Sequence, residues 1–252
     1  MERKIKYFHP LTLICCFSFF CLACGTTPSE QAELLLEKSI EAHGGQEAWS
    51  QVEKISFRKW TQLLKEDGSI ESETDQLQEF RLLPRFEAKI SWMSDSLLHI
   101  SSFDGKGMNY LIGDNEVKNP DFLATKREDI DAAFYVLAQP WKLLEDPGAK
   151  LIYKGIKTLA DQREVEVVEV DYGPEEDTWW YYFDPNTSLM IGNEVQLKDH
   201  RSLIFNLEAD RSSPFILHGT RESFRVNEKG EKLYLRALYR YSDYQITLVN
   251  QD

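Results

Sequence analysis

Cysteine is almost absent from this chain of 252 residues, and the few cysteines lie close to the amino terminus. All four, Cys15, Cys16, Cys21 and Cys24, fall within the first 24 residues. The rest of the chain therefore has no cysteine pair for a disulfide framework and no thiolate for a zinc site. Stability must come from packing, for which the 42% of hydrophobic residues supply ample material.

Positive charge is also scarce. The chain has 29 lysine and arginine residues against 42 aspartate and glutamate residues, a formal net charge of −13. Such a protein repels the phosphate backbone of nucleic acids and is not drawn to anionic lipid head groups. We therefore expect no nucleic-acid partner, and we expect any membrane contact to come from an anchor.

The sequence also lacks the patterns of metal and catalytic sites. The histidines beyond the leader, His43, His99, His200 and His218, do not show the paired spacing of zinc ligands. No phosphate-binding loop, nucleophile elbow or calcium loop occurs. We expect no metal, no cofactor and no catalytic residue. A hydrolase is the least supported alternative, because it would need His99, His200 or His218 beside a carboxylate or hydroxyl in a cleft.

One apolar run near the amino terminus has the features of an export signal. Residues 11–22 are almost wholly apolar. They come after Arg3, Lys4 and Lys6 and are followed by the small residue Ala23. The run has about a dozen residues, whereas a helix needs about 20 to span a bilayer. We predict that residues 1–23 are a signal peptide, residues 24–28 a short tether and residues 29–252 a single domain.

The end of this signal, Cys21-Leu22-Ala23-Cys24-Gly25, resembles the bacterial lipobox, although Cys21 stands where leucine is usual. The resemblance implies cleavage before Cys24 and a lipid anchor on that cysteine. Two or three acyl chains anchor a protein stably, whereas one chain binds only marginally. Because Gly25 is not an aspartate, we expect an outer-membrane lipoprotein facing the periplasm. The alternative is an ordinary signal cut near Ala23, which would release a soluble protein.

Two capping boxes, at residues 27–30 and at residues 125–128, each predict the start of a helix. Pro140 is expected to end the second helix. Most of the remaining chain alternates between apolar and polar residues, as half-buried antiparallel strands do. Changes of parity within residues 163–171 and at Ser242-Asp243 predict β-bulges, which let a long sheet curl. We predict a mainly β (α+β) fold, a single curved antiparallel half-barrel of about 11 strands whose concave face is covered by the N-terminal and mid-chain helices.

This arrangement resembles the LolA and LolB superfamily of bacterial lipoprotein carriers, in a branch found in Bacteroidota-like bacteria. The resemblance rests on the mid-chain helix and on short motifs along the chain: Glu41-Ala42-His43-Gly44-Gly45, Trp49, Val52, Trp180-Tyr181-Tyr182-Phe183-Asp184-Pro185-Asn186-Thr187 and Tyr241-Ser242-Asp243-Tyr244. It implies an apolar cavity between sheet and helices that binds acyl chains. The carriers hold their lid shut with a specific arginine, and LolB has a protruding apolar loop. Neither feature matches a residue of this sequence.

Such a cavity would be lined by the inward residues of the first strands and of the helical insert. The predicted ligand-binding set is Phe80, Phe86, Ile90, Trp92, Leu98 and Ile100, facing Phe134 and Trp141. Ligand pockets are mainly apolar, but the same residues can fill a dry core instead. We predict a lipid-anchored protein that binds an acyl chain, a lipid or a lipoprotein.

The second hypothesis is an envelope scaffold or stress-sensing module without a small-molecule ligand. Residues 179–182 place aromatic side chains on both faces of one strand, so an exposed patch around Trp180 and Tyr182 could dock a protein partner. An internal cavity favours the first hypothesis, and a solid core beneath an exposed patch favours the second. The sequence does not fix the oligomeric state.

Overall fold

A computed structural model of the protein describes residues 26–249. The predicted signal peptide, Cys24 and Gly25 lie outside the described residues. The helices are α1 (Pro28–Ala42), α2 (Gln46–Ser50), α3 (Pro120–Leu137) and α4 (Trp141–Glu145). The strands are β1 (Val52–Leu64), β2 (Ile70–Arg81), β3 (Glu87–Ser94), β4 (Leu97–Phe103), β5 (Met108–Ile112), β6 (Asn115–Glu116), β7 (Lys150–Thr158), β8 (Glu164–Asp171), β9 (Thr178–Phe183), β10 (Met190–Gln196), β11 (Arg201–Asp210), β12 (Leu217–Val226) and β13 (Lys232–Leu248).

All these strands form one antiparallel sheet built from two meanders. Strands β1 to β6 form one meander and β7 to β13 the other, and the two are joined where β1 pairs with β13. The sheet has 13 strands and not about 11. Strand β6 was missed because two residues are too few to show alternation, and the second meander has seven strands where about six were expected.

The sheet is open and curls around helix α3. Its edges are β6 and β7, and the chain between them contains α3 and α4. Laid flat, 13 strands would span about 58 Å at roughly 4.8 Å per strand, whereas α3 is about 27 Å long. Helix α3 contacts β3, β4 and β5 and also shares a cavity wall with β9 to β13, which a helix of this length could not do on a flat sheet. The predicted half-barrel with a covered concave face is therefore confirmed in outline.

One of the two predicted bulges is present where the sequence placed it. Between the pairs Ser56–Gln245 and Arg58–Ser242, strand β13 has one residue more than β1, and Asp243 adopts a φ of 58°. At residues 163–171 the register shift lies on the partner strand, because the extra residue between the pairs Tyr153–Val168 and Gly155–Val167 belongs to β7. The change of parity within β8 itself has another cause, since β8 is buried on both faces. Val165 and Val167 pack in one cluster and Val168 and Val170 in another.

The first capping box is confirmed and the second is not used. Thr27 Oγ1 accepts from the Glu30 amide at 3.2 Å, and the Glu30 carboxylate accepts from the Thr27 amide at 2.6 Å. Helix α3, by contrast, begins five residues before Thr125. Asn119 caps it by accepting from the Phe122 amide at 3.0 Å, and proline occupies its first position.

The interior beside α1, α2 and α4 is densely packed. The Trp141 ring is fully buried, stacks on Trp49 at 4.3 Å and meets Phe215 edge-on at 5.8 Å. Its indole nitrogen donates to the Gly45 carbonyl at 3.3 Å. Among residues 26–249, no helix combines the length and the apolar character needed to cross a bilayer.

Candidate ligand-binding cavity

Most of the predicted ligand-binding residues lie together on the concave side, where they fill space. Phe80, Ile90 and Trp141 are buried in the main core, and Phe86, Trp92 and Phe134 are half-buried against it. The Phe134 ring lies 5.5 Å from Phe80 and 5.0 Å from Phe86. Ile90 and Trp92 border a cavity beside α3, and Phe80 lines a separate pocket along β1 to β4. Ligand binding by these residues remains a prediction.

The inclusion of Leu98 and Ile100 among the inward residues was wrong. Strand β4 pairs with β3 so that Ile100 lies opposite Ser91 and Leu98 opposite Met93, on the face away from α3. The two-residue turn at Asp95 and Ser96, both with positive φ, sets this register. Leu98 is 44% exposed and, with Met93 and Leu97, gives this hairpin an exposed apolar tip.

The main cavity on the concave side lies in the other half of the sheet. It has a volume of about 480 Å³, within the range of roughly 300–1,000 Å³ that ligand pockets occupy. Helix α3 forms one wall, and β1 and β9 to β13 form the other. The side chains that line it are mostly aromatic or aliphatic: Tyr135, Val136, Tyr172, Trp179, Tyr181, Ile204, Tyr239 and Tyr241.

A second cavity of about 350 Å³ lies on the opposite flank of α3, against β1 to β4. The two cavities share Lys59, Ala132 and Val136. Ala132 is exposed at the rim of both. Helix α3 is therefore narrower than the concave surface that it covers, and space remains on each of its sides.

A few polar groups project into the larger cavity. Arg221 and Asn193 are buried, and the Arg221 Nη2 donates to Asn193 Oδ1 at 3.0 Å. Gln139 Nε2 donates to the Tyr181 hydroxyl at 3.3 Å, while its Oε1 has no partner among the described residues. Burial raises the pKa of Tyr181. An apolar wall with a small number of convergent polar groups is the usual composition of a ligand site.

The surroundings of Tyr241 show that this part of the cavity is electropositive. Burial raises the pKa of Tyr241, but the positive charges of Lys59 and Arg221, together with a hydrogen bond from Arg221, outweigh burial, and the net direction is downward. A nearby positive charge stabilises a phenolate in this way. Asp131, at the rim, is already bound by Arg127 through two hydrogen bonds of 2.7 and 2.8 Å.

The exposed aromatic patch of the second hypothesis is not found in the described fold. Tyr182 is fully buried, and its hydroxyl donates to the buried Glu194 carboxylate. Trp180 is half-buried, with the Arg201 guanidinium 4.8 Å above its ring and its indole nitrogen donating to Glu169 at 2.8 Å. Glu194 also pairs with Arg201. These aromatic side chains form a second packed layer on the convex face.

The histidines named for a hydrolase lie apart from one another. His99 Nδ1 lies 2.9 Å from the Tyr110 hydroxyl, and His200 Nδ1 lies 2.7 Å from an Asp199 carboxylate oxygen in a surface turn. Neither histidine bonds to a serine, threonine or cysteine side chain among residues 26–249. Within the same residues, no three His, Cys, Asp or Glu side chains are grouped to hold a metal ion. A non-enzymatic role remains a prediction.

Comparison with known proteins shows similarity in fold but not in sequence. No family model matches the chain, and no curated protein matches it. Two solved structures each superpose with a TM-score of 0.54. One is a DUF1329 family protein from Desulfovibrio piger, with 7% identity over 88% of this chain and 94% of that one. The other is a LolA superfamily protein from Nitrosomonas europaea, with 9% identity over 90% of this chain and 96% of that one.

A third solved structure, assigned to an outer membrane lipoprotein-sorting protein domain from Vibrio parahaemolyticus, has a TM-score of 0.50. It is 8% identical and covers 86% of this chain and 93% of that one. The chain has the fold of the LolA superfamily. The resemblance found in the sequence is thus confirmed for the fold, and the Bacteroidota branch remains a prediction.

The sequence did not reveal the main cavity of this LolA-type fold. Two pairs of aromatic residues are spaced two positions apart along their strands, so each pair could have been assigned to one face of the sheet. These pairs are Trp179 with Tyr181 and Tyr239 with Tyr241. Arg221 gave no such signal. The apolar residues of β12 give no consistent parity, because Leu217 shares the parity of Arg221 whereas Phe224 and Val226 have the opposite one. A charged residue in such a strand is expected in solvent.

Buried histidine near the cavity makes the folded state sensitive to acid. His218 Nε2 donates to the Val136 carbonyl at 3.0 Å. Burial, and secondarily the charge of Arg221, holds the pKa of His218 well below its ordinary 6.5. Below about pH 6.5 the unfolded chain therefore takes up a proton that the folded chain does not, and stability falls as the pH falls.

We expect urea denaturation between pH 7 and pH 5 to show a free energy of unfolding that decreases on acidification, with His218 contributing up to about 1.4 kcal/mol per pH unit. His218→Gln should make this slope shallower by a similar amount. The control is Leu217→Ala, a buried neighbour without a titratable group, which should lower stability equally at every pH. Equal slopes for His218→Gln and the unmodified protein would contradict the assignment.

Proposed function

We propose that the protein is a lipid-anchored component of the bacterial envelope that binds an apolar ligand between helix α3 and the concave face of its sheet. The observation that carries the proposal is the cavity of about 480 Å³, lined largely by tyrosine, tryptophan and aliphatic side chains. A cavity of this size and composition binds a molecule with a long apolar part better than it binds water. The ligand class is an acyl chain, free or as part of a lipid or lipoprotein.

The fold supports the same proposal. This chain leaves a concave interior that helix α3 covers, and one of the similar structures is assigned to a lipoprotein-sorting protein domain. The lipobox-like residues around Cys24 supply the anchor, and the outer membrane facing the periplasm is the proposed location. The scaffold hypothesis is less well supported, because Trp180 and Tyr182 are covered by neighbouring side chains.

Filling the cavity should weaken ligand binding. We expect Ala132→Trp, at the rim of both cavities, to weaken binding of a fluorescent fatty acid by about tenfold or more, because the indole occupies the space of the tail. The matched control is Ala124→Trp, on an exposed part of α3 that borders neither cavity. Native mass spectrometry and lipid extraction of the purified protein should show a bound apolar molecule. Equal affinity in both variants, or an interior that never takes up a ligand, would overturn the proposal.

The anchor is tested separately by Cys24→Ser. Serine cannot be acylated through a thioether, so the variant should leave the membrane fraction and lose the mass of the acyl chains. The control is Cys21→Ser, which lies within the predicted signal peptide and should still yield an acylated, membrane-bound protein. A Cys24→Ser protein that stays membrane-bound would refute the anchor and leave the ligand proposal intact.

A further inference from the structure

Arg221 is a buried cation without a buried anion. It lies on β12 and is 5% exposed, and its side chain lines the cavity beneath α3. Its Nη2 donates to Asn193 Oδ1, the guanidinium also hydrogen-bonds to the Tyr241 side chain, and its Nε has no partner among residues 26–249. Neither of these partners is a carboxylate. No carboxylate of the described residues forms an ion pair with it. The contrast is Arg201 on the convex face, which pairs with the buried Glu194.

This arrangement is unfavourable unless another molecule completes it. A guanidinium does not lose its proton in proteins, so Arg221 cannot escape burial by becoming neutral. A buried charge without a counter-ion destabilises a fold by several kcal/mol. The chain has 42 acidic residues, so a partner was readily available to the sequence. No carboxylate among residues 26–249 pairs with Arg221, so an anion from outside the chain would complete the charge pair.

The charges around Arg221 favour an anion at this end of the cavity. Lys59 lines the same space, and the two cations together lower the pKa of Tyr241 against the effect of burial. The carboxylates nearest the rim are already engaged. Asp131 is bound by Arg127, and Asp146 accepts hydrogen bonds from the Tyr135 and Tyr172 hydroxyls at 3.2 and 2.8 Å.

We propose that the ligand is an amphiphile with an anionic head group, a carboxylate or a phosphate, that pairs with the Arg221 guanidinium. This inference rests on the proposed function and narrows its ligand class. The planar fork of arginine matches both head groups and can form two parallel hydrogen bonds with either. The tail then lies along the tyrosine-lined wall beneath α3, and the unpartnered Gln139 Oε1 offers an acceptor for a hydroxyl of the ligand.

The test compares three ligands with the same tail: dodecanoate, dodecyl phosphate and dodecanol. Affinities are measured on the full chain carrying Cys24→Ala, by displacement of a fluorescent apolar probe below the micelle concentrations. We expect at least one of the two anions to bind about tenfold or more tighter than dodecanol, as charge-assisted hydrogen bonds to a buried cation imply. The anion that binds more tightly identifies the head group.

Arg221→Met should remove this preference, so that the variant binds the two anions no more tightly than dodecanol. Circular dichroism and a cooperative urea transition show that the variant is folded. Arg240→Met is the matched control, because Arg240 is exposed on the opposite face over Trp60, and it should keep the preference. If the unmodified protein binds all three ligands equally, the inference of an anionic head group is overturned and the proposed function stands. This measurement requires no variant at Arg221. Failure of all three ligands to bind overturns both.

Discussion

The connection between the two edges of the sheet determines the rest of the structure. Strands β6 and β7 are the edges, and residues 117–149 must lead from one to the other. Because the sheet curls, the short route crosses its concave side, and helix α3 therefore lies inside the curve. A single helix about 10–12 Å across cannot fill the interior of a 13-stranded curled sheet. Cavities remain on both of its flanks as a consequence of this topology.

The two ends of the interior differ because different side chains fill them. Beside α1, α2 and α4, the rings of Trp141, Trp49 and Phe215 pack directly against one another. Beneath the second half of α3 the sheet presents tyrosines and Arg221. Tyrosine has an apolar ring and a hydroxyl that needs a partner, so a wall of tyrosines is less able to close on itself than one of leucine or phenylalanine. This difference makes one end core and leaves the candidate binding cavity at the other end.

The convex face carries a second apolar layer, which explains why some strands lack a polar face. Val165, Val167, Tyr182 and Phe205 are buried there, with the Arg163 guanidinium 3.9 Å above the Phe205 ring. Cationic side chains with long apolar stems cover aromatic rings in place of another secondary-structure layer. The sheet is thus covered on both sides in its second half, and this part is expected to be the more rigid.

Local patterns in the sequence predicted the local features of the fold. Alternation located the strands, a parity change located the bulge at Asp243, and the capping box located the start of α1 at Thr27. The features that depend on tertiary contacts were missed. The direction of Leu98 depends on a turn register, and the burial of both faces of β8 depends on the convex layer.

The same limit applies to the candidate site. The sequence placed the ligand near Phe86 and Phe134, whereas the larger cavity lies beneath the other flank of α3. An arginine in a strand of mixed pattern, such as Arg221, is expected in solvent because of its charge. Only the curl of the sheet around α3 places it inside. The cavity is therefore a property of the topology, and no short motif encodes it.

The most direct test of this account is a crystal structure of the protein purified with the molecules that it carries from the cell. The account predicts elongated electron density between α3 and the sheet, in contact with Tyr135, Tyr181 and Tyr239 and ending at Arg221. An interior in which these side chains meet and close the space, or density for a carboxylate of the chain itself at Arg221, would contradict it.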